Sequence, residues 1–172
     1  MRVRTWNLNG WKACQTPLIE DLLREFEIIA VSETWLTPDD LPFKTISCNR
    51  PQSSGQRRNA GGVSLIAAHD NLIRELRQIS TTDFQIISAS AFGTTIIAAY
   101  LVPRASTVTL FDFFFHLRLF ARGRSNILGD FNARHRAWDN STNRNGLQIH
   151  AFASRADLSI YSPKSSIFIS PH

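Results

Sequence analysis

Four apolar runs follow one another with little between them from residue 61 to residue 102: "GGVSLIAA", "LRQIST", "FQIISASAF" and "TTIIAAYLV". They are rich in β-branched residues and several are separated by turn formers, so they read as successive strands. Turn residues between several of them suit antiparallel hairpins. Stretches with a helical period bracket the block. Upstream, "TPLIEDLLREF" reads as a helix: Thr16 can cap, Pro17 suits the first turn, and Leu18, Leu22 and Phe26 share a face with Ile19 and Leu23. Downstream, "TLFDFFFHLRLFARG" reads as a helix apolar on most sides and therefore deeply buried. "NRNGLQIHAFASRADL" reads as a helix turning Ile149, Phe152, Ala153 and Ala156 inward. "RVRTWNL", "EIIAVSET" and "SNILGDFN" are strands between these helices, and "LSIYS" begins one more. The pattern is mixed α/β, with helices covering sheets that contain consecutive antiparallel hairpins. The polar segment "NRPQSSGQRRNAGG", residues 49–62, is expected to be a long loop inside the domain.

A length of 172 residues suits one domain with a real core, and an apolar share of 43% excludes a disordered chain. The formal net charge of +5 suits an anionic partner, nucleic acid being the commonest, although solubility alone explains it as well. Cys14 and Cys48 make neither a disulfide framework nor a zinc site, which fits a reducing compartment. "MRVRTWNLNG" lacks the apolar core of a signal peptide, so "NST" at Asn140 reads as an accidental glycosylation match. Asp112, His116 and Arg118 interrupt "LFDFFFHLRLF", the most apolar stretch, so no membrane span is expected. The expected location is nuclear or cytoplasmic, without a membrane partner.

The polar residues gather at strand ends. Asn7 and Asn9 close the first strand, Glu33 stands two beyond Val31, Tyr100 two beyond Ala98, and Asp130 and Asn132 stand where "NILGDFN" stops. Residues two apart on a strand point to one side. Ligand sites of α/β sheets gather where strand ends converge. Each residue also has a local explanation. Asn7 and Asn9 before Gly10 suit a turn, Glu33 a cap, Tyr100 a core edge, and Asp130 after Gly129 a turn. The recurrence favours a site, and one carboxylate or two with amide oxygens suits Mg²⁺, which keeps several waters.

These residues carry a resemblance. "WNLNG", "SETWL", "AGGVSL", "AAYLVP" and "GDFNARHRAW" occur in the order and rough spacing of the endonuclease/exonuclease/phosphatase superfamily. With "RNGLQIHAFASRADLSIYSP", the chain most resembles the endonuclease domain of non-LTR (LINE-type) retrotransposons, from Trp6 to about Pro163. The resemblance implies a DNase I-like, four-layer α/β fold, a two-sheet sandwich flanked by helices, with its site at one edge of the sheets. It implies nicking of DNA with Mg²⁺, or Mn²⁺ as the alternative, in partnership with the reverse transcriptase domain of the same element. Under it Glu33 resembles the metal carboxylate, assisted by Asn7. Asp130 resembles the residue that orients or deprotonates the attacking water, and Asn132 the amide holding that water or the phosphate. Tyr100 resembles the hydroxyl that reaches the scissile phosphate. Asn9 stands where repair relatives tend to have Asp, and it joins the DNA-contacting set with Arg134 and Arg136. Arg57, Arg58 and Arg144 are further candidates for backbone phosphates, and Trp138 is expected in the core.

The resemblance also implies a late Ser-Asp-His motif, and no such tripeptide occurs here. The expectation is a single 1–172 domain lacking its last strands, with impaired activity. The alternatives are a non-catalytic DNA-binding remnant, or a phosphoinositide or sphingomyelin phosphodiesterase of the same superfamily.

Overall fold

The computed structural model describes residues 1–12, 15–35, 43–51, 61–69, 72–121 and 123–161. Cys14, Arg57, Arg58 and the tail from Ser162 to His172 lie outside them, as does most of the expected 49–62 loop. The elements in order are β1 (Val3–Asn7), α1 (Thr16–Glu25), β2 (Ile28–Ser32), β3 (Thr45–Cys48), β4 (Val63–Ala67), β5 (Arg74–Ser80), β6 (Phe84–Ala91), β7 (Thr94–Leu101), α2 (Thr107–Phe120), β8 (Ser125–Asp130) and α3 (Arg144–Arg155).

Two four-stranded sheets face each other, ordered β1-β2-β4-β3 and β5-β6-β7-β8. Each combines antiparallel pairs with one parallel pair at its edge, β1 with β2 and β7 with β8. The parallel pairs are those whose connection contains a helix, α1 and α2 respectively. Parallel neighbours end on the same side. Asn7 is therefore level with Ser32, and Tyr100 with Asp130.

Strand alternation sets the layers. In β2, Ile28 and Ala30 enter the cluster between the sheets, while Ile29 and Val31 pack outward with Ile19 of α1. In β7, Ile96, Ala98 and Tyr100 face the interlayer, while Ile97, Ala99 and Leu101 meet Leu110, Phe113 and Leu117 of α2. The result is a two-sheet sandwich with helices outside, as expected from the sequence. Each fully buried Ile or Leu contributes about 1.5–3 kcal/mol.

Several local expectations are corrected. Gln15, not Thr16, precedes α1, with no side-chain cap, and Leu18 is exposed. Ala156 is exposed just past α3. Residues 158–161 form no strand; the Leu158 N–H instead donates to the Ala153 carbonyl beyond the end of α3. Helix α2 is buried on one face only, because it meets a single sheet. Strand β3 was not expected, being short and half polar.

Candidate active site

The two parallel-paired edge strands end in the same device. Asn7 closes β1, and its Oδ1 accepts the Asn9 N–H at 2.9 Å. Asp130 closes β8, and its Oδ1 accepts the Asn132 N–H at 2.9 Å. In each, the side chain substitutes for a carbonyl and folds its own backbone two residues on. Asn9 and Asn132 take left-handed conformations, φ 48° and 46°, which Asn tolerates better than most residues. Asn7 and Asn9 therefore do form the local turn, and neither Asn9 nor Asn132 shares a strand face with its partner. The two turns are also joined. Asn7 Nδ2 donates to Asp130 Oδ2 at 2.6 Å, tying the end of one sheet to the end of the other.

Glu33 arrives by another route. Strand parity would send it outward with Ile29 and Val31. Its own backbone is left-handed, φ 52°, which breaks the alternation. A non-Asn, non-Gly residue held there costs on the order of 1–3 kcal/mol, and such strain clusters at functional sites. Hydrogen bonds over-determine the bend. The Gly10 N–H donates to the Glu33 carbonyl at 2.7 Å, Trp11 N–H to Thr34 at 2.8 Å, and Trp35 N–H to Gly61 at 3.1 Å. The buried hydroxyls of Ser32 and Thr34, on either side of Glu33, have no partner among the described residues.

Tyr100 stands between these groups. It is 6% exposed, and its phenol pKa is pushed up to about 12 by burial first and then by the Glu33 and Asp130 charges. The proton stays on the oxygen, so Tyr100 is a hydrogen-bond donor here. The folded chain keeps this proton where an unfolded chain loses it. Stability should therefore fall as pH rises from about 10 to about 12. Tyr100→Phe should flatten that part of the profile, read by urea denaturation at about pH 9 and about pH 11. An unchanged slope would contradict the placement.

Arg50 opposes those carboxylates in acting on Tyr100. Its stem lies over Gly61, where a Cβ would come 3.2 Å from Arg50 Cδ. Sequence reasoning missed this residue along with β3, just after whose end it stands; the signal was an "NR" following a strand.

The segment after β8 is clamped from α3. Asn143 caps that helix by accepting the Gly146 N–H at 2.8 Å. The same oxygen accepts the Arg134 N–H at 3.0 Å, and Nδ2 donates to the Asn132 carbonyl at 2.9 Å. Asn145, fully buried, donates from Nδ2 to the carbonyls of Val102 and Phe131 at 3.1 Å. Asn132 Nδ2 donates to the Leu101 carbonyl at 2.9 Å, which leaves its oxygen and one N–H for a ligand. Arg134 and Arg136 are exposed on this clamped segment. Arg144 does not join them. Its guanidinium donates to Thr107 Oγ1 and lines the space between α2 and α3. Trp138 is half-buried rather than core, donating to the Ala133 carbonyl at 3.2 Å and packing on His135.

The groups around Tyr100 are the Glu33 and Asp130 carboxylates, and Asn7, bonded to Asp130, brings an amide to the same seam. No cluster of three His, Cys, Asp or Glu side chains occurs among the described residues. That excludes, for these residues, a closed metal cage of such side chains. It suits a hard cation bound through one or two carboxylates plus water and phosphate oxygens, as Mg²⁺ is.

The chain resembles solved structures at low identity and over most of its length. The endonuclease domain of TRAS1, a telomere-specific non-LTR retrotransposon, is 15% identical, covers 90% of this chain and 71% of its own, and superimposes with a TM-score of 0.62. The 3′ phosphatase NExo from Neisseria, bound to a product DNA hairpin, is 16% identical with coverages of 90% and 70% and a TM-score of 0.64. An AP endonuclease from Archaeoglobus fulgidus is 12% identical with coverages of 91% and 70% and a TM-score of 0.64. No curated protein matches. The Endonuclease/Exonuclease/phosphatase family matches residues 5–168. The chain therefore belongs to the endonuclease/exonuclease/phosphatase family, whose members are hydrolases that act on phosphodiester bonds.

Proposed function

We propose that the chain is the endonuclease domain of a non-LTR (LINE-type) retrotransposon, nicking DNA with a divalent metal ion, Mg²⁺ or Mn²⁺, for the reverse transcriptase domain of the same element. The observation that carries this reading is the 2.6 Å Asn7–Asp130 bond. It fixes a carboxylate at the seam of the two sheets, beside Glu33 and a protonated Tyr100. The fold shared with the TRAS1 endonuclease domain supports it.

Hydrolysis of a phosphodiester needs an oriented water, a proton acceptor and positive charge against the developing phosphorane. Asp130 orients the water and takes its proton. Its second oxygen is anchored by Asn7, which fixes the direction of attack. The free oxygen and second N–H of Asn132 hold the water or a phosphate oxygen. Tyr100 donates to a non-bridging oxygen, and Arg50 brings positive charge to the same side. Glu33 with Asn7 Oδ1 would hold the metal ion, which supplies Lewis acidity and orientation when bound. Asn9, Arg134 and Arg136 contact the DNA.

Isothermal calorimetry with Mg²⁺ tests the ligand set. Glu33→Gln should abolish measurable binding while the circular dichroism spectrum stays unchanged; unaltered Mg²⁺ affinity would remove Glu33 from the metal site. Plasmid nicking set beside hydrolysis of phosphoinositide and sphingomyelin separates a nuclease from a lipid phosphodiesterase. DNA binding without nicking under any metal selects the non-catalytic reading. If Arg134 and Arg136 hold phosphates, their double replacement by Ala weakens binding equally for all sequences. It also shrinks the log–log salt slope by roughly one to two units. An unchanged slope reduces them to ordinary surface charge.

A further inference from the structure

Helix α2 carries an apolar stripe that none of the described residues covers. Val108, Phe111, Phe115 and Leu119 are 80%, 75%, 56% and 43% exposed. Their spacings of three and four place them on one face. The opposite face, with Phe113 and Leu117, is buried against the β5–β8 sheet. Beside the stripe, a groove of about 470 Å³ runs between α2 and α3. Its floor includes Phe114 and Phe152, stacked at 4.6 Å and 13°. Its rim carries Arg118 from α2 with Arg144 and Arg155 from α3, and no lining residue is acidic. Arg144 is pinned in place by its bond to Thr107. From Val108 to Leu119 the stripe extends over about 17 Å.

Exposed apolar patches rimmed by polar residues mark interaction sites. We propose that the α2–α3 groove binds an amphipathic helix of a protein partner whose apolar stripe is flanked by Asp or Glu on one side. Length and shape match the helix-in-groove mode, in which residues at i, i+3, i+4 and i+7 enter the groove. Charge selects the occupant: three arginines and no acid complement a row of carboxylates. It also sets the direction. Asp112, paired with His116 at 3.3 Å, borders the stripe on its other side, so the acidic edge of the partner lies over α3. A second copy of this chain would bring the same arginines to the same rim and be repelled. Nucleic acid would satisfy the arginines and leave four large apolar side chains in water. A lipid surface would meet the ridge and leave the groove unfilled.

The probe is a labelled synthetic peptide of about 18 residues with Leu at helical spacing and Glu elsewhere, read by fluorescence anisotropy against the whole chain. The same peptide with Lys for Glu is one control. Vesicles of phosphatidylserine and phosphatidylcholine are the other. The expected result is saturable binding of the Glu peptide, at least about tenfold tighter than the Lys peptide. Phe111→Asp with Phe115→Asp should weaken it by about tenfold or more. Arg144→Glu with Arg155→Glu should invert the preference between the two peptides. All four positions are exposed, so the variants should retain the wild-type circular dichroism spectrum. Equal affinity for the two peptides overturns the proposal. So does indifference to both double variants, preference for vesicles over the Glu peptide, or dimerisation of the chain through this face in sedimentation.

Discussion

Gly129→Ala is expected to cost about 2–6 kcal/mol, a large part of the roughly 5–15 kcal/mol that holds a chain of this size folded. A Cβ at this position would lie 1.8 Å from the Ala99 carbonyl oxygen and 2.8 Å from its carbon. Those atoms belong to the neighbouring strand's backbone and cannot swing aside as a side chain tip can. The φ of +144° is a second obstacle, since this region is essentially restricted to glycine. Backbone strain of about 1–3 kcal/mol and overpacking of about 1–3 kcal/mol give the total. The melting temperature should fall by roughly 10 °C. Gly93→Ala is the control: φ is +71° there, but a Cβ would meet nothing within 4 Å. Its cost should stay near 1–2 kcal/mol, about that of a left-handed alanine. Urea denaturation of the two variants decides the matter, and equal losses would mean that β8 does not approach β7 as closely as described. The position matters beyond stability, because Gly129 precedes Asp130. The close approach of the two backbones is what sets Asp130 level with Tyr100.

Most strands were legible as short apolar runs bounded by turn residues. "EIIAVSET" and "TTIIAAYLV" are buried on both faces, so they read as strands without showing which residues face which layer. The site was legible in the same degree. Parallel neighbours end together, so polar groups at four strand ends had to converge. Direction was not legible. Parity sends Glu33 to the outer face, and only its left-handed backbone brings it back; a glutamate gives no sign of that in sequence. Asn9 and Asn132 did carry a sign, being the residue type that tolerates that region. Helix α2 misled because an apolar circumference does not say how many neighbours a helix has. One sheet covers one face, and Phe111 and Phe115 remain outside. Four residues of β3, half of them polar, fell below any periodic signal, and Arg50 was lost with them. Asn143 and Asn145 sit in a helical pattern like any other polar residues, whereas in the fold their amides hold the segment that carries Asn132 and Arg134.

The 172-residue chain should nick supercoiled plasmid about 10²–10³-fold more slowly than a family member with a Ser-Asp-His sequence. That motif, by the resemblance, brings a histidine to the scissile phosphate and an aspartate to hold it, and none of the 172 residues forms one. Three of the four described histidines are engaged elsewhere. His135 and His150 stack on each other at 4.2 Å, and His116 pairs with Asp112 on α2. The positive group that acts on Tyr100 is Arg50, which can stabilise an anion. Loss of one such stabiliser typically costs about 10²–10³ in rate. The remainder should depend on Asp130. Asp130→Asn keeps the oxygen that accepts the Asn132 N–H, so the turn at the end of β8 survives while the proposed base is removed. Residual nicking should then fall by a further factor of about 10² or more, while the melting temperature drops modestly because an amide nitrogen in place of Oδ2 cannot accept the Asn7 Nδ2 bond. Fusing a relative's segment that carries the Ser-Asp-His sequence should restore rate to the wild type and not to the Asn variant. If the unfused chain nicks as fast as that relative, and Asp130→Asn abolishes the activity, the residues at the seam of the two sheets suffice and the histidine is dispensable here.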